Sequence, residues 1–527
     1  MASVTPFKKP DPETQKKEAR VKRVLKLVQR ADIDRNRHLA RITDCYKYGL
    51  PWRHKANQSQ PVDQLDEIFD EELMTVLEDF SADMLNTFTP QKAAWVEPKP
   101  VETLDAGAMR QLEGPLAQIK AVIFAEMARS NLYQALQEAY LDLGPGTMAL
   151  IVTDLDPAHP IHCEAIPVVD LLLNRGPYGR IDGTWRKVKR TGEDILLLWP
   201  NAQPLKGKPW SADDLTEYEV IDGVYRDHQE KADETWRYVV LVGNEIIFEE
   251  EYRGRGSNPF IVARWSRDST TAWGMGPTYR TLPATKTLNH FRYISLKGYD
   301  REVDPVTSYE DDGVVNIDHG INPGEWIPRS PGSKAPEVIE SKSRMDVQIF
   351  NIDEVRTAIR RAHYQDRPEQ QGKTPPTATQ WADEAAERAR RMGTPATNLV
   401  IELQYPLFRR FAFLLEKRGK LPKLQLNNEV IALEPISPLL RAQEQEEVVR
   451  TDKWAEMIVT RFGPEMANII IDAFKYAAWL ARKMGVDPSL ARNEQQIKEA
   501  VQQLGPILGG GGQDYNPEEG GAPAAPG

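Results

Sequence analysis

The stretch QQGKTPPTATQW, residues 370–381, contains Gly372-Lys373-Thr374, the closing triplet of a phosphate-gripping loop. In such a loop, glycine amides surround the phosphates, the lysine reaches their outer oxygens and the hydroxyl meets magnesium. The motif also requires an earlier glycine, a strand before it and a helix opening directly after it. Here Arg367 occupies the first glycine position, and Pro375 and Pro376 remove the amides that should open the helix. What precedes the triplet has helical spacing, with Met345, Ile349, Ile352, Val355 and Ile359 on one face. Nucleotide hydrolysis is therefore not the expected chemistry. A second cluster, His159, His162 and Cys163 with Asp154 and Asp156, has metal-ligating residue types, yet no second ligand pair stands at zinc spacing. It reads as a strand edge beside a turn. No Ser-His-Asp or Cys-His arrangement can be placed from spacing. The expectation is a protein that is not an enzyme and holds no cofactor or metal.

The elements around the triplet give it another role. Gly372 and the two prolines break one helix, and Thr377-Ala-Thr-Gln380 is a capping box that starts the next. That helix carries Asp383, Glu384 and Glu387 early and Arg388, Arg390 and Arg391 late, as the helix dipole favours. GTPATN, 393–398, reads as a short loop, followed by a helix with an expected kink at Pro406 and an end at Gly419. Upstream, 14–44 predicts an amphipathic helix with a basic face and Val21, Val24, Leu25, Val28 and Ile33 inward. Helical blocks follow at 63–88 and 105–143. From TMALIVTD (147–154) to about 330 the enrichment in β-branched and aromatic residues predicts strands, interrupted by a helix at 276–300. Trp265, Trp273 and Tyr279, around Gly274 and Gly276, are expected to pack a tight turn.

Composition sets the outer limits. The chain has 527 residues, 40% of them hydrophobic, which suffices for a large core or several. Mean hydropathy is −0.53 and no 18-residue apolar run occurs, so no membrane partner is expected. The polar opening and the two cysteines, Cys45 and Cys163, suggest a reducing compartment and no secretion signal. A formal charge of −11 argues against nucleic-acid binding through overall positive charge, so any DNA contact is expected to be local or weak. The last residues, 509–527, are too rich in Gly and Pro for a core and are expected to be disordered.

Several stretches, taken in order, resemble the portal proteins, or head-to-tail connectors, of podovirus-type short-tailed bacteriophages. They are YGLPW, FSADMLNTFTP with WVEPKP, GTMALIVTD, NPFIVARW with WGMGPTYRTLPATKTLNHF, and TATQWADEAAERARRMG with LQYPLFRRFAFLLEKRGKLP. The resemblance implies an α+β portal fold, mainly helical with a strand-rich wing, assembled as a dodecameric ring around an axial channel. It implies a wing at 1–342, stem helices at 343–363 and 377–392, a clip or clip tip at 364–376, a tunnel loop at 393–398, a wing helix and strand at 399–436, and a helical crown at 437–508. It also implies a virion location at a capsid vertex after assembly in the host cytoplasm. The implied partners are double-stranded DNA in the channel, large terminase, a tail adaptor, and scaffolding, major capsid and internal core proteins. A tail adaptor or tube ring protein is the alternative.

On this reading Gln371, Gly372, Lys373, Thr374, Pro375 and Pro376 serve partner docking. Gly393, Thr394, Pro395, Ala396, Thr397 and Asn398 approach DNA. A conduit through which DNA slides must avoid many phosphate contacts, since each adds an electrostatic hold. Asp383, Glu384 and Glu387 would then form negative bands in the lumen, with Arg388 and Arg391 adding a positive one. The same residues also suit a solvated helix face with pairs such as Glu387 to Arg391.

Overall fold

The computed structural model describes residues 12–53, 67–101, 106–155, 160–228, 234–303, 345–365, 391–422, 431–436 and 438–471, with short pieces near 307, 332, 337 and 476. The docking residues Gln371, Gly372, Lys373, Thr374, Pro375 and Pro376, the charged residues Asp383, Glu384, Glu387 and Arg388, the later crown and the tail at 509–527 lie outside them. So do Asp156 and His159. The chain divides into one compact unit, 1–376 with 391–438, and a second, 377–390 with 439–527.

The first unit opens with helix α1 (Pro12–Gly49), longer at both ends than its apolar spacing suggests. Val24, Val28 and Ala31 are buried against Leu172, Trp185, Tyr225, Val239 and Leu241 of a sheet. Ile33, expected inward, is 52% exposed, and Ala31, one heptad beyond Val24, takes the core position instead. Helix α2 (Glu72–Thr87) follows, then strand β1 (Val96–Pro100). The expected single helix at 105–143 is two, α3 (Ala106–Arg129) and α4 (Leu132–Leu143). The break has a tertiary cause. Asn131 turns its amide to the main chain of Cys163, accepting from its N–H at 2.8 Å and donating to its carbonyl at 2.7 Å.

Strands β2 (Thr147–Thr153), β3 (His162–Ile166), β4 (Leu171–Arg175), β5 (Ile181–Thr191), β6 (Glu217–Arg226), β7 (Thr235–Val242), β8 (Glu245–Arg253) and β9 (Phe260–Arg264) fill most of the predicted strand region. They form an antiparallel meander in the order β4-β5-β6-β7-β8 and a second antiparallel sheet in the order β3-β2-β9. The apolar run ILLLW, 195–199, belongs to a short helix α5 (Gly192–Leu198), started by a reciprocal cap between Thr191 and Asp194. β2 is buried almost throughout, as its unbroken apolar sequence demands when both faces are covered.

Helix α6 (Pro277–Val303) coincides with the helix expected at 276–300, and two-residue strands β10 (Thr307–Ser308) and β11 (Glu337–Val338) pair beyond it. Helix α7 (Met345–Ala362) buries Ile352 and Ile359 in the main core, as its spacing predicts. After residue 391 the chain forms helices at Gly393–Leu399 and Tyr405–Lys417, then β12 (Ile431–Pro435), which pairs antiparallel with β1. The helix Pro438–Ile470, all but its first residue in the second unit, bends at Gly463, and Tyr476 donates to Asp452 and stacks on Trp479. No described helix is long and apolar enough to cross a membrane.

Candidate functional site

The site lies in the first unit where α7 ends and where the described chain resumes at 391. The support beneath it is a crossing of two glycine-rich segments, LGPGT (143–147) and WGMGP (273–277). Thr278 N–H donates to Gly144 O at 3.0 Å, Gly276 N–H to Pro145 O at 3.2 Å, and Trp265 N–H to Gly146 O at 2.9 Å. The backbones are too close for side chains: a Cβ on Gly276 would collide with the carbonyls of Gly144 and Leu143, the latter at 2.6 Å. Trp265 and Trp273 are buried, so they pack the turn as their sequence context predicts. YGLPW serves the same region. Its glycine lets α1 end against Leu77, and the next residue, Arg53, forms a two-pronged ion pair with the fully buried Asp142 (3.0 and 2.7 Å), two residues before Gly144.

Helix α7 is held to this support by charges and by one buried histidine. Arg356 pairs with Asp70 at 2.5 Å, and Arg360 grips both oxygens of Glu72 at 2.5 and 3.0 Å. His363 is fully buried. Its Nδ1 lies 2.8 Å from Ile359 O and its Nε2 2.9 Å from the Thr278 hydroxyl. A carbonyl only accepts, so Nδ1 carries the proton, and Nε2 accepts from Thr278. Tyr364 then sits in the left-handed region with φ of 62°, and Gln365 N–H turns back to Arg360 O at 2.9 Å, closing the helix. A non-glycine there costs about 1–2 kcal/mol. Tyr364 is retained by contacts on both sides: its ring lies 5.7 Å from that of Trp265, and its hydroxyl reaches Arg391 O at 3.5 Å. The end of α7 and residue 391 are therefore adjacent.

The returning chain corrects one expectation. Gly393, Thr394, Pro395, Ala396, Thr397 and Asn398 are helical and form no loop. Pro395 falls in the first turn, where amides lack intrahelical partners in any case, and the Thr397 hydroxyl donates to Gly393 O at 3.1 Å. Ala396 is buried, Thr394 and Thr397 are exposed, and the Asn398 amide reaches Trp265 O at 3.4 Å. Arg391 is exposed. Pro406 acts one turn earlier than expected. It has no N–H for the Glu402 carbonyl, and the helix widens over Val400–Gln404, where Tyr405 N–H donates to Val400 O, five residues back.

That widened turn presents Glu402 to Arg264 at the end of β9. Glu402 accepts from Arg264 Nη2 at 2.5 Å and from its Nε and main-chain N–H at 3.1 Å each. The Arg264 side chain is 1% exposed, so the pair is a buried, bidentate one. Gln404, also buried, donates to Phe88 O at 2.9 Å. Among the described residues no group of three His, Cys, Asp or Glu is placed for a metal, and burial pushes the Cys163 thiol up to about 12.

The model of the bacteriophage head to tail connecting protein family matches residues 21–491. The chain belongs to this family. The family is a structural one of phage particles. Among solved structures the connector is similar to a chain in the virion of a native gene transfer agent particle, with 12% identity over 80% of this chain and 96% of that one and a TM-score of 0.40. It is also similar to a chain in the neck of an empty gene transfer agent particle, with 13% identity, 79% and 94% coverage and a TM-score of 0.38. No curated protein matches it.

Spacing alone missed the connector's Arg264, Glu402 and His363. The signal was present: Arg264 is a lone charge in NPFIVARW, Glu402 a lone charge in LVIELQYPL, and His363 continues the apolar face of Ile352 and Ile359. His363 also makes the junction acid-sensitive. Burial lowers its pKa from 6.5 to about 4. Below pH 6.5 the unfolded imidazole takes a proton that the folded one refuses until about pH 4, so stability is full above pH 6.5 and falls through that window. The expected loss is roughly 2–4 kcal/mol. His363→Gln keeps an acceptor for Thr278 and removes the titration. Melting temperatures of the two proteins should diverge between pH 6.5 and pH 4, and parallel curves would show that His363 does not titrate this way.

Proposed function

We propose that the chain is the portal subunit of its particle, forming a ring at one capsid vertex through which double-stranded DNA is packaged and later ejected. Twelve copies make the ring. On this proposal 343–363 and 377–392 are the stem helices, and the clip at 364–376, with Gln371 to Pro376, docks large terminase and then the tail adaptor. What supports this reading is that the Tyr364 hydroxyl reaches Arg391 O, so that the end of α7 and the residue opening the next described segment lie side by side, as two strokes of one stem would. An adaptor needs no such stem.

Asp383, Glu384 and Glu387 face the lumen on this proposal, where carboxylates keep phosphates sliding, and Arg388 and Arg391 form a band nearer the body. The helix from Gly393 to Leu399, in place of a loop, brings Thr394 and Thr397 towards DNA. The test is a packaging reaction with heads assembled with and without the chain. Electron micrographs of the purified protein should show a flanged ring with an axial hole, and heads lacking it should stay empty. With Asp383, Glu384 and Glu387 all replaced by lysine, rings should form but packaging should slow and become steeply salt-dependent. Filled heads without tails, when the chain is omitted, would assign it to the adaptor instead. Normal packaging by the triple variant would remove those carboxylates from the lumen.

A further inference from the structure

A cavity of about 640 Å³ opens beside the helix Tyr405–Lys417, between the end of β2, the turn after α5 and strand β8. Arg410 lines it and is 5% exposed. Its Nε donates to Val152 O at 3.0 Å, and its Nη1 to Ser257 O at 2.7 Å and Gly256 O at 3.3 Å. No carboxylate among the described residues pairs with it; the nearby Asp154 is engaged by Lys417 at 2.9 Å. Burial lowers this guanidinium to about 10, and the nearby Asp154 opposes that only in part. Trp199 lines the same cavity, and its buried indole N–H, beside Tyr238, has no acceptor in hydrogen-bonding geometry. Buried donors of this kind are normally satisfied. One such N–H, beside a guanidinium that meets only carbonyls, defines the chemistry of what belongs there: an anionic acceptor.

The wall of the cavity sets its form. β8 is the last strand of its sheet, and Ile246 to Glu250 lie along the cavity. On that edge Gln203 N–H takes Ile247 O at 2.6 Å, while the rest of the strand continues past it. A free strand edge accepts an extended peptide by main-chain pairing. Glu249, which is shared by Arg20 and Arg237, and Glu250 line the same wall, which disfavours a polyphosphate backbone and tolerates a single carboxylate.

We propose that this cavity receives an extended segment of a partner protein, which pairs with the edge of β8 and presents one carboxylate side chain to Arg410 and Trp199. The probe is the peptide acetyl-Ser-Val-Glu-Val-Ser-amide, with its Glu→Gln counterpart, titrated against the full-length protein by calorimetry. Hydrogen exchange of residues 245–253 reads the strand pairing. The Glu peptide should bind and protect β8, and the Gln peptide should bind about tenfold more weakly, as expected for loss of one charge-assisted contact. Arg410→Met should abolish the difference, and Trp199→Phe, which keeps the ring and removes only the N–H, should weaken the Glu peptide several-fold without unfolding the protein. Equal binding of the two peptides, binding of neither, or tighter binding of inorganic phosphate than of the Glu peptide would overturn the proposal.

Discussion

Replacing Glu402 with alanine is expected to cost about 3–5 kcal/mol of folding stability, the usual result of stripping one partner from a buried ion pair. The Arg264 side chain is 1% exposed, and Glu402 takes three of its N–H groups, the main-chain one included. Without the carboxylate a guanidinium stays buried with the Ala272 and Gly179 carbonyls as distant acceptors, at 3.5 Å each. The double variant Arg264→Met, Glu402→Leu separates charge from packing, since two apolar side chains of similar size remove the unpaired cation. It should recover most of the loss. Urea unfolding at one fixed protein concentration, followed by tryptophan fluorescence, is the measurement. A single-variant loss below about 1 kcal/mol would mean that water reaches Arg264 and that the pair behaves as a surface one.

Gly276→Ala should be worse, because the atoms in its way are backbone and cannot rotate aside. The new methyl would collide with the carbonyls of Gly144 and Leu143, breaking the hydrogen bonds from Gly276 to Pro145 and from Thr278 to Gly144. Overpacking against movable side chains costs about 1–3 kcal/mol, and fixed carbonyls raise it beyond that. Little soluble protein is expected, with any that folds melting far below the parent. Gly114→Ala is the contrast: it lies in the interior of α3, where nothing beyond its chain neighbours is near its would-be Cβ and only the ring of Pro115 adjoins it. There the gain in helix propensity, about 0.5–1 kcal/mol, is opposed by crowding against Pro115, so stability should change by less than about 1 kcal/mol. Equal melting temperatures for Gly276→Ala and the parent would mean that the two glycine segments can part without consequence.

Features set by neighbours along the chain could be read from sequence. The strands from 147 onward, the helix from 277 and the buried face of Ile352 and Ile359 all follow from apolar period and turn residues. The tight turn around Gly274 and Gly276 was legible for the same reason. Features set across the fold were not. Asn131 ends α3 because Cys163 needs its amide, and that partner is 32 residues away. Arg264 and Glu402 are 138 residues apart, so each looked like an isolated charge until the fold joined them. Gly393 to Asn398 misled in the opposite way. Glycine, threonine and proline suggest a loop, yet a proline in the first turn removes nothing that a helix uses.

Tyr364 and Arg391 meet across what is, for the body, a closed door. Closing a longer or shorter span between two fixed points changes the free energy only slowly with its length, about 0.6 kcal/mol per doubling. The contact between Tyr364 and Arg391 O therefore makes the first unit tolerant of changes in the number of residues that join these two points.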